Sequence, residues 1–186
     1  MKPINFLLKM TLALAFCLPV VGSSDQTDQR LDQLFATLQS SQDETALLEA
    51  EAAIWEIWYD SGEESVDALM LQAAALARSG DLAAAEDIYS EVIVAMPGFS
   101  EGWNRRATVR FYQRDYAGSL ADIEETLRLE PRHFGAIWGL GMILGSQRDF
   151  QRAILAFERL LEIKPNASDA PDRIELLKQE LAKEAV

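Results

Sequence analysis

The sequence predicts an all-α protein built as a solenoid of helical hairpins, because several residues recur at one fixed spacing. Three prolines lie 34 residues apart, and three aspartates keep the same spacing: Pro97, Pro131, Pro165, Asp81, Asp115 and Asp149. A period of this length is typical of helix–turn–helix solenoids. We therefore divide the regular part of the chain into three windows, 66–99, 100–133 and 134–167.

Each window is expected to hold two antiparallel helices. Two helices approach closely only where side chains are small, and the eighth and twentieth positions are small in all three windows: Ala73, Ala107, Gly141, Ala85, Ser119 and Ala153. The aspartate at position sixteen follows a turn and suits the start of a second helix, whereas the proline at position thirty-two ends that helix. The pattern predicts helices at about 66–79, 82–95, 100–113, 116–129, 134–147 and 150–163.

The repeated segments resemble the tetratricopeptide repeat family. The most typical piece runs from Arg148 to Pro165, preceded by Leu140 and Gly141, and Trp103 stands at position four, where the family often has tryptophan. The resemblance implies a right-handed superhelical α-α solenoid of tetratricopeptide repeats that binds other proteins. The second window departs from the pattern, with arginine at positions seven and eleven, Arg106 and Arg110.

Two flanking segments complete the predicted domain organisation. Residues 24–65 read as a degenerate helical pair of about one repeat, and residues 168–186 as a capping helix with one apolar stripe. The second helix of the pair carries an aromatic cluster at Trp55–Tyr59. We expect this cluster to pack against the helix at 66–79 and seal the open end of the solenoid; a partner site is the alternative.

Residues 1–23 have the layout of a secretory signal peptide. Lys2 and Lys9 precede an apolar stretch at 10–21, and small residues follow near Ser23. We expect a periplasmic or secreted bacterial protein, with an uncleaved inner-membrane anchor as the alternative. Lipidation of Cys17 is a further alternative, disfavoured because Phe16 stands where a small residue is required.

Composition and residue types argue against several functions. The formal net charge is −13, which disfavours binding to nucleic acid or to an anionic membrane surface. The chain has one histidine, His133, expected to be a partly exposed turn residue, and one cysteine, which lies in the leader. We therefore expect no enzyme, no metal site of the usual zinc type and no cofactor.

The family resemblance implies a groove lined by the first helices of successive repeats. In the second window it would be lined by Glu101, Asn104, Thr108, Phe111 and Tyr112. The residues expected to contact another protein or peptide are Arg78, Asn104, Arg105, Thr108, Tyr112, Trp138 and Met142. Some family members clamp a carboxylate terminus, but Met70 and Ala74 replace two of the residues needed. Self-association without a separate client, through the aromatic cluster or the capping helix, is the alternative function.

Overall fold

The computed structural model describes residues 27–184, and within that range the chain forms helices and no β-strand. In chain order they are α1 (Arg30–Ser40), α2 (Glu44–Tyr59), α3 (Glu64–Ser79), α4 (Leu82–Ala95), α5 (Ser100–Tyr112), α6 (Tyr116–Leu129), α7 (Phe134–Ser146), α8 (Phe150–Ile163) and α9 (Asp169–Glu184). The six helices α3 to α8 begin and end within two residues of the predicted bounds. The predicted signal segment lies outside the described residues.

Three helical hairpins, α3–α4, α5–α6 and α7–α8, stack on one another as predicted. Ala73 and Ala85 are completely buried, and the Ser119 hydroxyl donates a hydrogen bond of 2.7 Å to the carbonyl of Ala107. A Cβ atom at Gly141 would lie 2.7 Å from the ring of Phe157, so this position accepts only glycine without a shift. The small residues thus set the distance between paired helices.

The turn inside each hairpin has the same construction in all three repeats. Asp81, Asp115 and Asp149 accept a hydrogen bond from the backbone N–H three residues ahead, which caps the second helix as predicted. The residue before each aspartate has a positive φ: 89° at Gly80, 66° at Arg114 and 64° at Arg148. The two arginines therefore occupy a backbone conformation that glycine adopts more easily.

The unusual arginines of the second repeat are paired with an equally unusual aspartate. Arg106 binds both carboxylate oxygens of Asp122 at 2.9 and 2.7 Å. Arg110 contacts Asp122 at 3.0 Å and Glu86 of the preceding repeat at 2.8 Å. Asp122 is almost fully buried, so these charges compensate one another inside the stack.

The helices α1 and α2, which we call the N-terminal hairpin, do not seal the end of the solenoid at α3. That prediction is wrong: the aromatic cluster packs on the start of α7. The Trp58 ring stacks on the imidazole of His133 at 4.1 Å and contacts the Phe134 ring at 4.8 Å. Ion pairs of Asp32 with Arg132 and of Glu51 with Lys164 hold both hairpin helices near the turns that precede α7 and follow α8.

The reason lies in the surface that each location offers. At α7, Phe134 and its neighbours provide a continuous apolar surface, and Gly135 leaves room for the indole of Trp55. The exposed side of α3 presents Gln72, alanines and one large apolar side chain, Leu71, which give large rings less apolar contact. The hairpin therefore joins the largest apolar cluster of residues 27–184, together with α7, α8 and α9.

The C-terminal helix α9 packs on α8 as the predicted cap. Its apolar residues Ile174, Leu177 and Leu181 join the apolar cluster, and its charged residues face outward. Among the helices of residues 27–184, none is both long enough and apolar enough to span a membrane.

Candidate protein-binding groove

A buried polar cluster lies where α5, the turn before α7 and the N-terminal hairpin meet. One carboxylate oxygen of Glu101 accepts from the Asn104 amide at 2.8 Å and lies 3.0 Å from His133 Nε2, and the other accepts from Arg105 Nε at 2.5 Å. Glu101 and His133 are fully buried. Burial of this carboxylate is compensated by three hydrogen-bond donors.

The expectation that His133 is a partly exposed turn residue is wrong. The Nδ1 atom accepts a hydrogen bond of 3.1 Å from the backbone N–H of Ala136, which caps the start of α7. The hydrogen of the ring therefore lies on Nε2, which donates to Glu101. The only histidine of the chain links two repeats, and the stacked Trp58 shields it from water.

Arg105 connects this cluster with the surface. The guanidinium lies 4.7 Å from the ring centre of Tyr59 on α2, and its Nε bonds Glu101. Burial lowers the pKa of Arg105 to about 10, so the side chain remains charged at neutral pH. Both the aromatic ring and the carboxylate favour that charge.

The groove pocket, as we call it, opens between α5 and α7. It is lined by five of the predicted contact residues, by Phe111 and by small residues of both helices, and its cavity has a volume of about 210 Å³. The five are Asn104, Thr108, Tyr112, Trp138 and Met142. The sequence prediction therefore names residues that the fold brings together, whereas their contact with a partner stays a prediction.

The lining residues differ in how much of each side chain a partner can reach. Tyr112 is 67% exposed and Thr108 is exposed as well, whereas Asn104 is only 6% exposed. The amide nitrogen of Asn104 is already bonded to Glu101. Trp138 is half-buried with its ring edge-on to Phe157 at 5.1 Å. Glu101 was expected to line the groove, but its side chain is fully buried. This part of the prediction is wrong because the carboxylate forms hydrogen bonds with three neighbouring side chains.

The predicted residues Arg78 and Arg105 line a separate depression between α3 and α5. Tyr89 and Ala74 also line it, and the hairpin residue Tyr59 forms part of its edge. Burial, and secondarily the nearby Glu101, raise the pKa of Tyr89 to about 12, so this phenol is neutral at physiological pH. Glu56, Asp60 and Asp67 also line the depression, so its two arginines are balanced by acidic side chains, whereas no charged side chain lines the groove pocket.

Sequence reasoning missed the contribution of the N-terminal hairpin to the surface around α7. Trp55 and Glu51 line a cavity together with Trp138, and nothing in the periodicity predicted that two tryptophans 83 residues apart would line the same cavity. The available signal was Gly135, a glycine near the start of a helix. In residues 27–184 no three His, Cys, Asp or Glu side chains are grouped closely enough to hold a metal ion.

Comparison with known proteins agrees with this architecture. The sequence profile of the family described as Tetratricopeptide repeat matches residues 46–98 and 104–168. A tetratricopeptide repeat-containing protein of Rhizobium etli is 37% identical over 161 residues, which cover 87% of this chain and 79% of the relative. Tetratricopeptide repeat protein 36 of Bos taurus is 39% identical over 66 residues, 36% of this chain and 35% of the relative.

Solved structures share the fold. The first repeat domain of Spaghetti (RPAP3), bound to the HSP90 peptide SRMEEVD, superimposes with a TM-score of 0.61 at 22% identity, covering 63% of this chain and 93% of that one. The Sgt2 repeat domain from Aspergillus fumigatus gives 0.62 at 18% identity, covering 66% and 83%. Domains of this fold generally serve as non-enzymatic scaffolds for protein–protein interactions. The profile match and the Rhizobium relative show that the chain belongs to the tetratricopeptide repeat family.

Proposed function

We propose that this protein is an adaptor of the bacterial envelope that binds an extended segment of another polypeptide in the groove pocket. The proposal rests on three side chains of the groove pocket that a partner can reach: Tyr112 and Thr108 on α5, and Trp138 on α7. These helices are the first helices of two successive repeats. Tyrosine and tryptophan supply flat apolar area with a polar edge, a combination enriched at the centre of protein interfaces.

The location of the adaptor in the envelope is supported by the sequence of residues 1–23, with its two lysines and apolar stretch. Cell fractionation and N-terminal sequencing of the protein from its host test this part separately. We expect a mature chain beginning near Ser24 in the periplasmic or secreted fraction. Recovery of the full-length chain from the inner membrane would support the anchored alternative.

Self-association through the aromatic cluster has less support. Trp58 is completely buried within the chain, and Trp55 is half-buried against Phe134 and Trp58. Of the cluster's aromatic residues, Tyr59 keeps the largest exposed fraction, 42%. A second copy would therefore find little of the cluster available to bind.

Site-specific photo-crosslinking in the native host tests the binding face. A benzoylphenylalanine at position 112 should capture one distinct polypeptide, and the same probe at Val94, which is 84% exposed on α4, should not. The substitution Thr108→Trp fills the groove pocket from an exposed position and should abolish the capture. Equal capture from both positions, capture of the chain's own copies alone, or capture insensitive to Thr108→Trp would contradict the proposal.

A further inference from the structure

The depression at Arg78 and Arg105 continues towards Tyr112 into a cavity that we call the arginine pocket. Its volume is about 320 Å³, and side chains of α3, α4 and α5 form its walls. Of the described residues that line it, Arg78 and Arg105 carry charge and none is acidic. Thr108 and Tyr112 line both this pocket and the groove pocket, so a segment bound in the groove pocket is adjacent to the two arginines.

Both arginines have hydrogen-bond donors that the described chain leaves unused. Arg78 is exposed and forms neither an ion pair nor a hydrogen bond within residues 27–184. Arg105 bonds Glu101 through Nε, whereas its two terminal nitrogens have no partner among the same residues. Its side chain is 30% exposed, and the guanidinium lies against the ring of Tyr59. A guanidinium already held by packing loses little freedom when a ligand binds.

Tyr89 supplies a further donor from a nearly buried position. The residue is 2% exposed, and its hydroxyl forms no hydrogen bond within the described part of the chain. The hydroxyl oxygen is not sealed from solvent, unlike the Nε1 atom of Trp58, so the small exposed part of Tyr89 includes it. Burial and Glu101 raise the pKa of Tyr89 to about 12 against an opposing effect of Arg78, so the phenol is protonated and can donate.

The acidic residues of the neighbouring depression do not occupy these donors. Glu56, Asp60 and Asp67 line the part formed by the end of α2 and the start of α3, but not the arginine pocket. Asp67 accepts hydrogen bonds from the N–H and the hydroxyl of Ser61, and Asp60 accepts one from the N–H of Gly62. The formal charge of the chain is −13, so an acidic segment is repelled at a distance and must be recognised by local contacts.

We propose that the arginine pocket binds an acidic side chain, aspartate or glutamate, of the client polypeptide. A guanidinium offers N–H donors in a planar fork that fits a carboxylate, and the Tyr89 hydroxyl can donate to the same group. The carboxylate is assigned to a side chain because Met70 and Ala74 replace two of the residues needed to clamp a chain terminus. The assignment to a client rests on the proposed function, whereas the preference for a carboxylate is a property of this chain alone.

Titration with Nα-acetyl-glutamate N-methylamide, followed by arginine Nε–H resonances in NMR spectra of the folded protein, tests the inference. The resonance of Arg105 should shift saturably, whereas that of Arg106, which is bonded to Asp122, should not move. The glutamine derivative has the same shape without the charge and should bind at least about fivefold more weakly. Equal affinity for the glutamine derivative, a shift that does not saturate, or an equal shift at Arg106 would overturn the proposal.

Two further ligands distinguish a side-chain site from other anion sites. Inorganic phosphate carries more negative charge and should bind more weakly, because the chain as a whole repels it. Nα-acetyl-alanine presents a terminal carboxylate and should bind no more tightly than the glutamate derivative. Tighter binding of phosphate would identify a phosphate site, and tighter binding of acetyl-alanine a terminus site; either result would overturn the assignment.

Two substitutions locate the binding groups without disturbing the packing. Arg78→Gln removes an exposed charge that has no partner, and Tyr89→Phe keeps the buried ring, so both thermal midpoints should stay close to the original. Each should weaken glutamate binding at least about threefold. The matched control Tyr116→Phe, at a residue that does not line the pocket, should leave it unchanged. Unchanged affinity in both Arg78→Gln and Tyr89→Phe would overturn the proposal. Because no client is present, failure here is independent of crosslinking at position 112.

Discussion

Glu101 and His133 lie 32 residues apart in the sequence, and their fully buried side chains are joined by a hydrogen bond of 3.0 Å. Glu101 belongs to the first turn of α5, whereas His133 caps α7. The same carboxylate also bonds Asn104 and Arg105. One side chain thereby fixes the spacing of the two helices that form the groove pocket.

Glu101→Ala is expected to destabilise the fold by about 3–5 kcal/mol, because it leaves several buried donors without an acceptor. Glu101→Gln keeps the shape and part of the hydrogen bonding, so its cost should be clearly smaller. Urea unfolding followed by circular dichroism measures both. A cost for Glu101→Ala below about 1 kcal/mol, or equal to that of Glu101→Gln, would show that the cluster does not hold the repeats together.

The second prediction tests whether the buried charges of Arg106, Arg110 and Asp122 compensate one another. Asp122→Ala leaves Arg106 and much of Arg110 without a buried counter-charge and should cost about 3–5 kcal/mol. The triple variant Arg106→Leu, Arg110→Leu, Asp122→Ala copies the third repeat, which has Leu140, Leu144 and Ala156 at these positions. It should recover at least half of the loss. Chemical denaturation compares the variants, and a triple variant as unstable as Asp122→Ala would contradict the compensation.

The positive φ of 66° at Arg114 predicts a stabilising substitution. Arg114→Gly relieves a conformation that costs a non-glycine residue about 1–2 kcal/mol, partly offset by the greater freedom of glycine in the unfolded chain. We expect a net gain of about 0.5–1 kcal/mol, measured as a higher thermal midpoint. The matched control is Gly80→Ala at the equivalent position of the first repeat, which should destabilise. If both substitutions lower the midpoint, conformational strain at this turn is not the dominant effect.

The repeats could be predicted from the sequence because their determinants are local and recur. A capping aspartate and a small residue such as Ala73 act within one hairpin, and the same requirement appears three times. The pairing of Arg106 with Asp122 could not be predicted from the sequence. Each residue departs from the repeat pattern at its own position, and only the structure shows that the two form an ion pair.

No local or recurring sequence pattern indicated where the N-terminal hairpin would pack. Its aromatic residues predicted burial but not the surface that would cover them, because the surface at Phe134 belongs to a helix far along the chain. His133 was misjudged for the same reason: a turn is normally exposed. Here the hairpin covers it with Trp58. Five of the seven predicted groove residues line one pocket, whereas Arg78 and Arg105 line a separate depression. The hydrogen bond between Asn104 and Glu101 depends on the buried cluster, which no local pattern indicated.

The ion pair between Glu51 and Lys164 joins residues 113 positions apart. In a simple repeat array each unit contacts only its neighbours, so such arrays can fray from either end. Here the first and last helical segments share one apolar cluster, which closes the linear array into a ring of contacts. Formation of this shared cluster must wait until both ends of the described chain have been synthesised, and loss of α9 would loosen the N-terminal hairpin as well. The molecule should therefore melt in one step, with a high contact order for a helical protein.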